Sequence, residues 1–378
     1  MSDITSGSTV SRRTLLLAGG AALSVSAALP GLAQQRPLRF SAIGQALIKH
    51  DIRQYSYPDY RLLADHLAKA DVVFSNLETA INGPGAGPPT RDTQFFHATE
   101  PEVLDVLKDF HINLLATGNN HSFDLNTGGI LTTLEAVAKA GFVHAGTGVN
   151  AADAAKPAFL SVPSGTVALV AMATGRIREG GAATDTRPGV NEIRRGEDGQ
   201  FNVEDEQRVL GAIRTAAARA DIVIVYQHNH YWEPDFADTP AWLKIWAKRC
   251  IDAGAHAFVG HGAPILQGIE FYKGCPLLYG LGSFIFHSRT NIGHYRPEVW
   301  DSAIIDLVFE RGKVRQLDIL PVALNEVGIS TEKHFETRGR PTLARGDRAR
   351  RILERLATIS APYGTNLVIE NDRASVVL

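Results

Sequence analysis

From Pro37 onward, short apolar runs alternate with segments whose hydrophobic residues recur at helical spacing. Leu38 to Ile43 reads as a strand, Asp59 to Ala70 as a helix, Val72 to Ser75 as a strand, Pro101 to Phe110 as a helix and Ile112 to Ala116 as a strand. Gly128 to Ala140 sets Leu131, Leu134, Val137 and Ala138 on one apolar face and leads into a strand from Phe142 to Ala145. Strands interleaved with helices of this length predict parallel β-α-β units with right-handed crossovers. The pattern resumes with buried strands at Asp221 to Tyr226 and Ala255 to Val259, which flank a helix from Pro240 to Ala253. In that helix Trp242, Leu243, Ile245, Trp246 and Cys250 supply apolar surface, so the tryptophans read as core.

Two stretches interrupt the alternation, the Gly and Pro cluster from Asn82 to Pro89 and the Gly-, Arg- and Asp-rich run from Arg176 to Gly199. Both read as loops within one domain, because the same strand and helix pattern continues after each. Beyond Gly260 the pattern becomes one of hairpins: Ile265 to Tyr272, a turn at Lys273-Gly274, Pro276 to Tyr279, then Ile304 to Glu310, a turn at Arg311-Gly312, and Lys313 to Leu320. The fold class is therefore α/β, with two sheets packed on one another and helices outside. Arg338 to Arg355 reads as a solvated amphipathic helix, with Leu343, Ile352, Leu353 and Leu356 opposite its basic residues.

Composition narrows the class without naming a partner. With 378 residues, 44% of them hydrophobic and a formal net charge of -2, the chain can bury a large core and carries no global field for nucleic acid or anionic lipid. The first 33 residues read as a twin-arginine export signal: Arg12-Arg13, a short Ala- and Gly-rich apolar run and small residues up to Ala33. That places the folded domain at residues 34–378 and predicts a periplasmic or cell-envelope location. Cys250 and Cys275 are the chain's two cysteines, and two buried free thiols are expected rather than a bridge.

The chain has no phosphate loop of the G-x-x-x-x-G-K-S/T type, no G-x-G-x-x-G after a strand and no G-x-S-x-G elbow, so kinase, dehydrogenase and serine-hydrolase readings lose their support. What remains is a series of polar residues at successive strand ends: Glu78, then Asn119, Asn120 and His121, then His228 and His230, then His261. In a parallel sheet the carboxyl ends of the strands share one edge, where such residues converge. One carboxylate, an amide oxygen and several imidazoles suit Mn, Fe or Zn better than Ca or Mg.

Ser75-Asn-Leu-Glu78, Gly118-Asn-Asn-His121 with Asp124, Gly146-Thr-Gly148, Arg187-Pro-Gly-Val-Asn191, Gly260-His-Gly262, Leu266-Gln-Gly-Ile-Glu270 and Leu278-Tyr-Gly-Leu-Gly-Ser-Phe284 together resemble the CapA family of bacterial capsule, or poly-γ-glutamate, synthesis proteins. That family's fold is akin to the calcineurin-like metallophosphoesterases, so the resemblance implies a metallophosphatase-like two-sheet sandwich flanked by helices. It further implies Glu78 and Asn120 as metal ligands, with His228, His230 and His261 completing the site. His121, beside Asn120, becomes the general acid, and Asn76, Asn119 and Gln45 fall to substrate binding.

Two positions depart from the family's pattern. Gln45 follows Gly44 where an aspartate is expected, and Pro264 stands where a second imidazole is expected after His261. A neutral amide cannot bridge two dications, so one divalent metal per chain is favoured, unless His50 or Asp51 replaces the lost carboxylate. The resulting expectation is an exported metal-dependent hydrolase of phosphoester or glutamyl bonds. Its partners would be an anionic polymer or phosphoester substrate and a membrane complex for polymer synthesis or export, with no nucleic acid. The alternative is a catalytically weakened protein that binds and guides an anionic envelope polymer.

Overall fold

A computed structural model describes residues 36–378 except Ser56 and Glu233; the expected export signal at residues 1–33 lies outside the described residues. Strands β1 (Leu38–Ala42), β2 (Val72–Asn76), β3 (Leu114–Ala116) and β4 (Val143–Ala145) form a parallel run, joined by α1 (Asp59–Leu67), α2 (Val103–Asp109) and α3 (Asn126–Lys139). Strands β5 (Ala158–Val162) and β6 (Gly165–Thr174) open a second sheet. It continues through α4 (Val203–Ala217), β7 (Ile222–Asn229), α5 (Ala241–Asp252), β8 (Ala257–His261), β9 (Ile269–Tyr272) and β10 (Cys275–Leu278).

The chain then returns to the first sheet with β11 (Asp301–Glu310), β12 (Lys313–Leu324) and β13 (Pro341–Leu343), and finishes with α6 (Gly346–Ser360) and the hairpin β14 (Leu367–Glu370) and β15 (Arg373–Val376). Among the described residues the first sheet has nine strands, eight of them in the order β14-β15-β12-β11-β1-β2-β3-β4 with β13 on β12, and the second has six in the order β9-β10-β8-β7-β6-β5. β1 is thus a central strand, antiparallel to β11 through Phe40 opposite Leu307 and parallel to β2 through Phe40 opposite Val72.

The period-two side-chain alternation of strands explains the layering. In β2, Val72 and Phe74 enter the core between the two sheets, while Val73 turns to the helices. The inter-sheet core takes Phe40 and Leu307 from the first sheet and Leu169, Tyr226 and Val259 from the second. Leu63, Leu67, Leu107 and Phe110 of α1 and α2 cover the outer face of the first sheet, and Val209, Ile213, Leu243 and Trp246 of α4 and α5 cover that of the second. The result is a two-sheet α/β sandwich flanked by helices, as the strand and helix pattern predicted.

Several local expectations need correction. Leu131, assigned to the apolar face of α3, is 41% exposed. Arg338 to Arg355 is not one helix: Pro341–Leu343 is a strand on β12 and the helix begins at Gly346. Arg338 is fully buried, its guanidinium 4.7 Å from the Trp300 ring centre and donating to the carbonyls of Ser288 and Thr290, so it is a structural cation rather than part of a solvated face. Cys250 and Cys275 are both free thiols, but only Cys250 is buried. Among the described residues, no helix is long and apolar enough to cross a membrane.

Candidate metal centre

The carboxyl ends of β2, β3, β7 and β8 meet at one edge of the sandwich, and each delivers polar groups there. β2 runs directly into Leu77 and Glu78, a segment held by Glu78 N–H donating to the Ala46 carbonyl and Leu77 N–H donating to that of Ala116. β3 ends in a turn closed by its own side chains. The Asn119 amide oxygen accepts from the His121 N–H at 2.9 Å, and the Ser122 hydroxyl accepts from the Asn119 N–H at 3.0 Å. Such side-chain to backbone bonds are why Asn and Ser suit this turn.

β7 carries His228, and His230 follows on the same face at a spacing of two, as the alternation of an extended chain requires. His228 Nε2 lies 2.8 Å from Asn120 Oδ1, 3.0 Å from His230 Nε2 and 3.6 Å from Glu78 Oε1. One ligand atom from each of Glu78, His228 and His230 lies within 4.8 Å of the others. Burial pushes the Glu78 carboxyl well above the usual carboxylate range, and the nearby Asp124 adds to the effect. Burial drives the His228 and His230 imidazoles well below their ordinary value; His230 and His261 add to the effect on His228, and His121 with Arg176 and Arg91 to that on His230. Glu78 Oε2 has no hydrogen-bond partner.

The donor set therefore fits a divalent cation. Three or four lone pairs point at one small volume, no lysine or arginine among the described residues pairs with the carboxylate, and neutral imidazoles are the ligand form a metal requires. On the far side of His228, Nδ1 lies 3.2 Å from the Tyr226 hydroxyl, an outer hydrogen bond that fixes the ring.

His261 is placed differently. It pairs in register with His228 across the parallel β7–β8 ladder, yet it falls outside the group of mutually close ligand atoms. It is buried between the Tyr226 and Phe74 rings, with centroids 5.4 and 6.5 Å away. Neither of its ring nitrogens has a hydrogen-bond partner among the described residues. Burial lowers its proton affinity to about 3, so it too is neutral.

Gln45 stands in the cavity wall, and its side-chain oxygen accepts from the Gly262 N–H at 3.1 Å. Gly262 itself has φ +110°, and a Cβ there would lie 2.1 Å from the Asn229 carbonyl, so the turn after β8 presses directly on the end of β7. Gln45 thus ties the segment after β1 to the turn after β8, and its oxygen is engaged by Gly262. Neither proposed replacement reaches the site: Asp51 pairs with Arg53, and His50 bonds the Glu336 carbonyl while stacking on His287 at 4.0 Å. Asn76 and Asn119 lie behind the cavity wall, where the Asn119 amide nitrogen donates to Asn76 Oδ1 at 3.1 Å and to the Leu77 carbonyl at 2.7 Å.

A cavity of about 460 Å³ opens over the cluster, lined by Glu78, Asn120, His121 and His230 at its base. His121 Nδ1 is 2.8 Å from Asp124 Oδ2, so Nε2 is the ring atom left for proton exchange. Asp124 is fully buried, also accepts from the His97 backbone N–H at 2.7 Å and pairs with Arg91, while burial raises its carboxyl to about 6. Sequence reasoning missed Arg91 and His97 because both sit in a segment whose composition signals only a loop. The three arginines of the cavity, Arg91, Arg176 and Arg178, were likewise without a motif.

Comparison with known proteins places the chain among capsule-synthesis relatives. A 27% identity joins the chain to the uncharacterized protein y4sH of Sinorhizobium fredii, over 89% of this chain and 92% of that one. The PGA biosynthesis protein CapA of Bacillus subtilis is 28% identical over 62% of this chain and 57% of its own length. A probable polyglutamine synthesis accessory protein of Mycobacterium tuberculosis is 28% identical over 71% of this chain and 70% of its own. The sequence model of the bacterial capsule synthesis protein family PGA_cap matches residues 39–288, a stretch that holds Glu78, Asn120, His121, His228, His230 and His261, and the chain belongs to that family.

Proposed function

We propose that this protein is an exported, metal-dependent hydrolase acting on a phosphoester or glutamyl bond in the synthesis of an anionic capsule or poly-γ-glutamate polymer. The observation that carries this reading is the convergence of Glu78, Asn120, His228 and His230 at the base of a cavity that His121 also lines. Those four residues would hold one divalent cation, Mn, Fe or Zn, which supplies Lewis acidity to the scissile group when bound. Water adds to the scissile phosphorus or carbonyl carbon as the bond to the leaving atom breaks, and His121, oriented by Asp124, gives that atom the proton from Nε2 while Asp124 stabilises the ring in its charged form. Arg176 and Arg178 draw in an anionic substrate, while Arg91 is held by Asp124. Export is supported by Arg12-Arg13 and the small-residue run to Ala33, and it would bring the chain to a membrane polymer-synthesis complex.

A second reading has its own observation. Gln45 adds no negative charge and its oxygen is already committed to Gly262, which favours a protein that binds and guides an anionic polymer without cleaving it. The deciding experiment is hydrolysis of p-nitrophenyl phosphate, bis(p-nitrophenyl) phosphate and γ-glutamyl anilides by the full chain with added Mn, Fe or Zn. Metal-dependent turnover lost in Glu78→Gln supports the hydrolase. Metal bound with no turnover on any of them gives the binding reading the lead.

A further inference from the structure

The run Gly175-Arg-Ile-Arg178 leaves β6 at the mouth of the cavity, and its construction is that of a fixed presentation loop. Gly175 has φ +79°, and a Cβ there would come within 3.1 Å of the His230 carbonyl carbon, so the chain turns directly on the segment that carries a metal-cluster histidine. Arg176 follows with φ +55°, a left-handed conformation that a long unbranched side chain adopts only when its surroundings hold it there.

Ile177 then packs into a small apolar cluster with Phe123, Ile130 and Val190, and at Gly181 a Cβ would lie 3.1 Å from the Phe123 ring, so the loop closes tightly there. The loop is pinned at one end to His230 and at the other to the neighbour of His121 and Ser122. Ile177 acts as the peg, and the residues on either side of it, Arg176 and Arg178, are exposed and line the cavity.

These two arginines differ from the third. Arg91 is spent on Asp124, whereas among the described residues neither Arg176 nor Arg178 forms an ion pair with a carboxylate. Arg176 lies over the Trp232 ring at 5.8 Å, on the His230 side of the cavity. A pair of guanidiniums beside a candidate metal site, with no carboxylate partner among the described residues, is an arrangement that recognises an oxyanion through charge-assisted, often bidentate hydrogen bonds.

We propose that Arg176 and Arg178 form an oxyanion subsite distinct from the metal cluster, so that the favoured substrate bears a second negative group, carboxylate or phosphate, close to the bond that is broken. This rests on the hydrolase reading for its catalytic consequence, but the subsite itself can be measured by binding alone.

The test uses the full chain loaded with Mn and the double variant Arg176→Gln, Arg178→Gln. In the first arm, inorganic phosphate is titrated calorimetrically; the double variant should bind it about 10-fold more weakly or worse, a loss of about 1.4 kcal/mol, and equal affinity in the two proteins overturns the subsite. In the second arm, turnover is compared between γ-glutamyl anilide with a free α-carboxylate and its α-methyl ester, and between aryl phosphates with and without a ring carboxylate. The ratio of kcat/KM between charged and neutral members should fall about 10-fold in the double variant, mostly through KM, and the pair in which it falls identifies the natural chemistry. An unchanged ratio in both pairs also overturns the proposal. If no substrate is turned over by either protein while phosphate binding depends on the arginines, the subsite stands and the hydrolase reading fails.

Discussion

His121 is buried and Lys49 half-buried, and burial lowers the proton affinity of both. His121 stays in place because its Nδ1 meets a fully buried carboxylate, so removing the ring should disturb proton transfer more than architecture. His121→Ala is expected to lower turnover by about 10²- to 10⁴-fold while leaving metal content near that of the parent. Metal loss in that variant, read by mass spectrometry, would make His121 a ligand instead. Lys49 has its ammonium on the Phe96 carbonyl, and burial, with Arg289 next, lowers its proton affinity from 10.5 to about 8. Because the folded value is the lower one, its contribution to stability is complete above about 10.5 and is lost as pH falls through about 8. Lys49→Met should therefore raise Tm more at pH 7 than at pH 10.5, and a pH-independent difference would show that Lys49 titrates as in water. At this scale the sequence announced the histidines and Glu78, since metal-binding residue types at strand ends are visible in a string of letters. It could not announce that the Gln45 oxygen is taken by Gly262, a partner 217 positions away.

Strands and turns decide which of these groups meet. The i, i+2 spacing of His228 and His230 was readable, and so was the parallel alternation of β1 through β4, because buried strands and amphipathic helices have different periods. β6 has no clear signal in the sequence pattern although it is ten residues long and leads through Gly175 into Arg176. α6 was misplaced at its start because Arg338 and Arg340, both buried, look like solvated charges when only their letters are seen. The turn at Gly262 packs the end of β8 onto the end of β7 in the second sheet. Gly262→Ala would set a Cβ against the Asn229 carbonyl in a backbone conformation unfavourable to alanine, and a loss of several °C in Tm together with weaker Mn retention is expected. Unchanged Tm and unchanged Mn affinity would show that the β7 and β8 ends do not need this contact.

For the molecule as a whole, the cluster joins Glu78 and Asn120 from one sheet to His228 and His230 from the other, so a bound cation crosslinks the sandwich. Metal content should be about one per chain, because Gln45 and Pro264 offer no anion or imidazole for a second ion; two tightly held ions would refute this. Chelation should lower Tm, and at a metal concentration 100-fold above Kd the linkage is about 2.7 kcal/mol.

The central position of β1 has a further consequence, for biosynthesis. Every residue of the cluster has been translated by His230, but the strand that flanks β1, from Asp301 to Glu310, follows some seventy residues later. A chain ending at residue 288, where the family match stops, would leave β1 as a bare edge with Phe40 uncovered on that side, a template for pairing with other copies. Residues 39–288 expressed alone should therefore partition into the insoluble fraction, and a nascent chain paused at that length would depend on chaperones until β11 and β12 emerge.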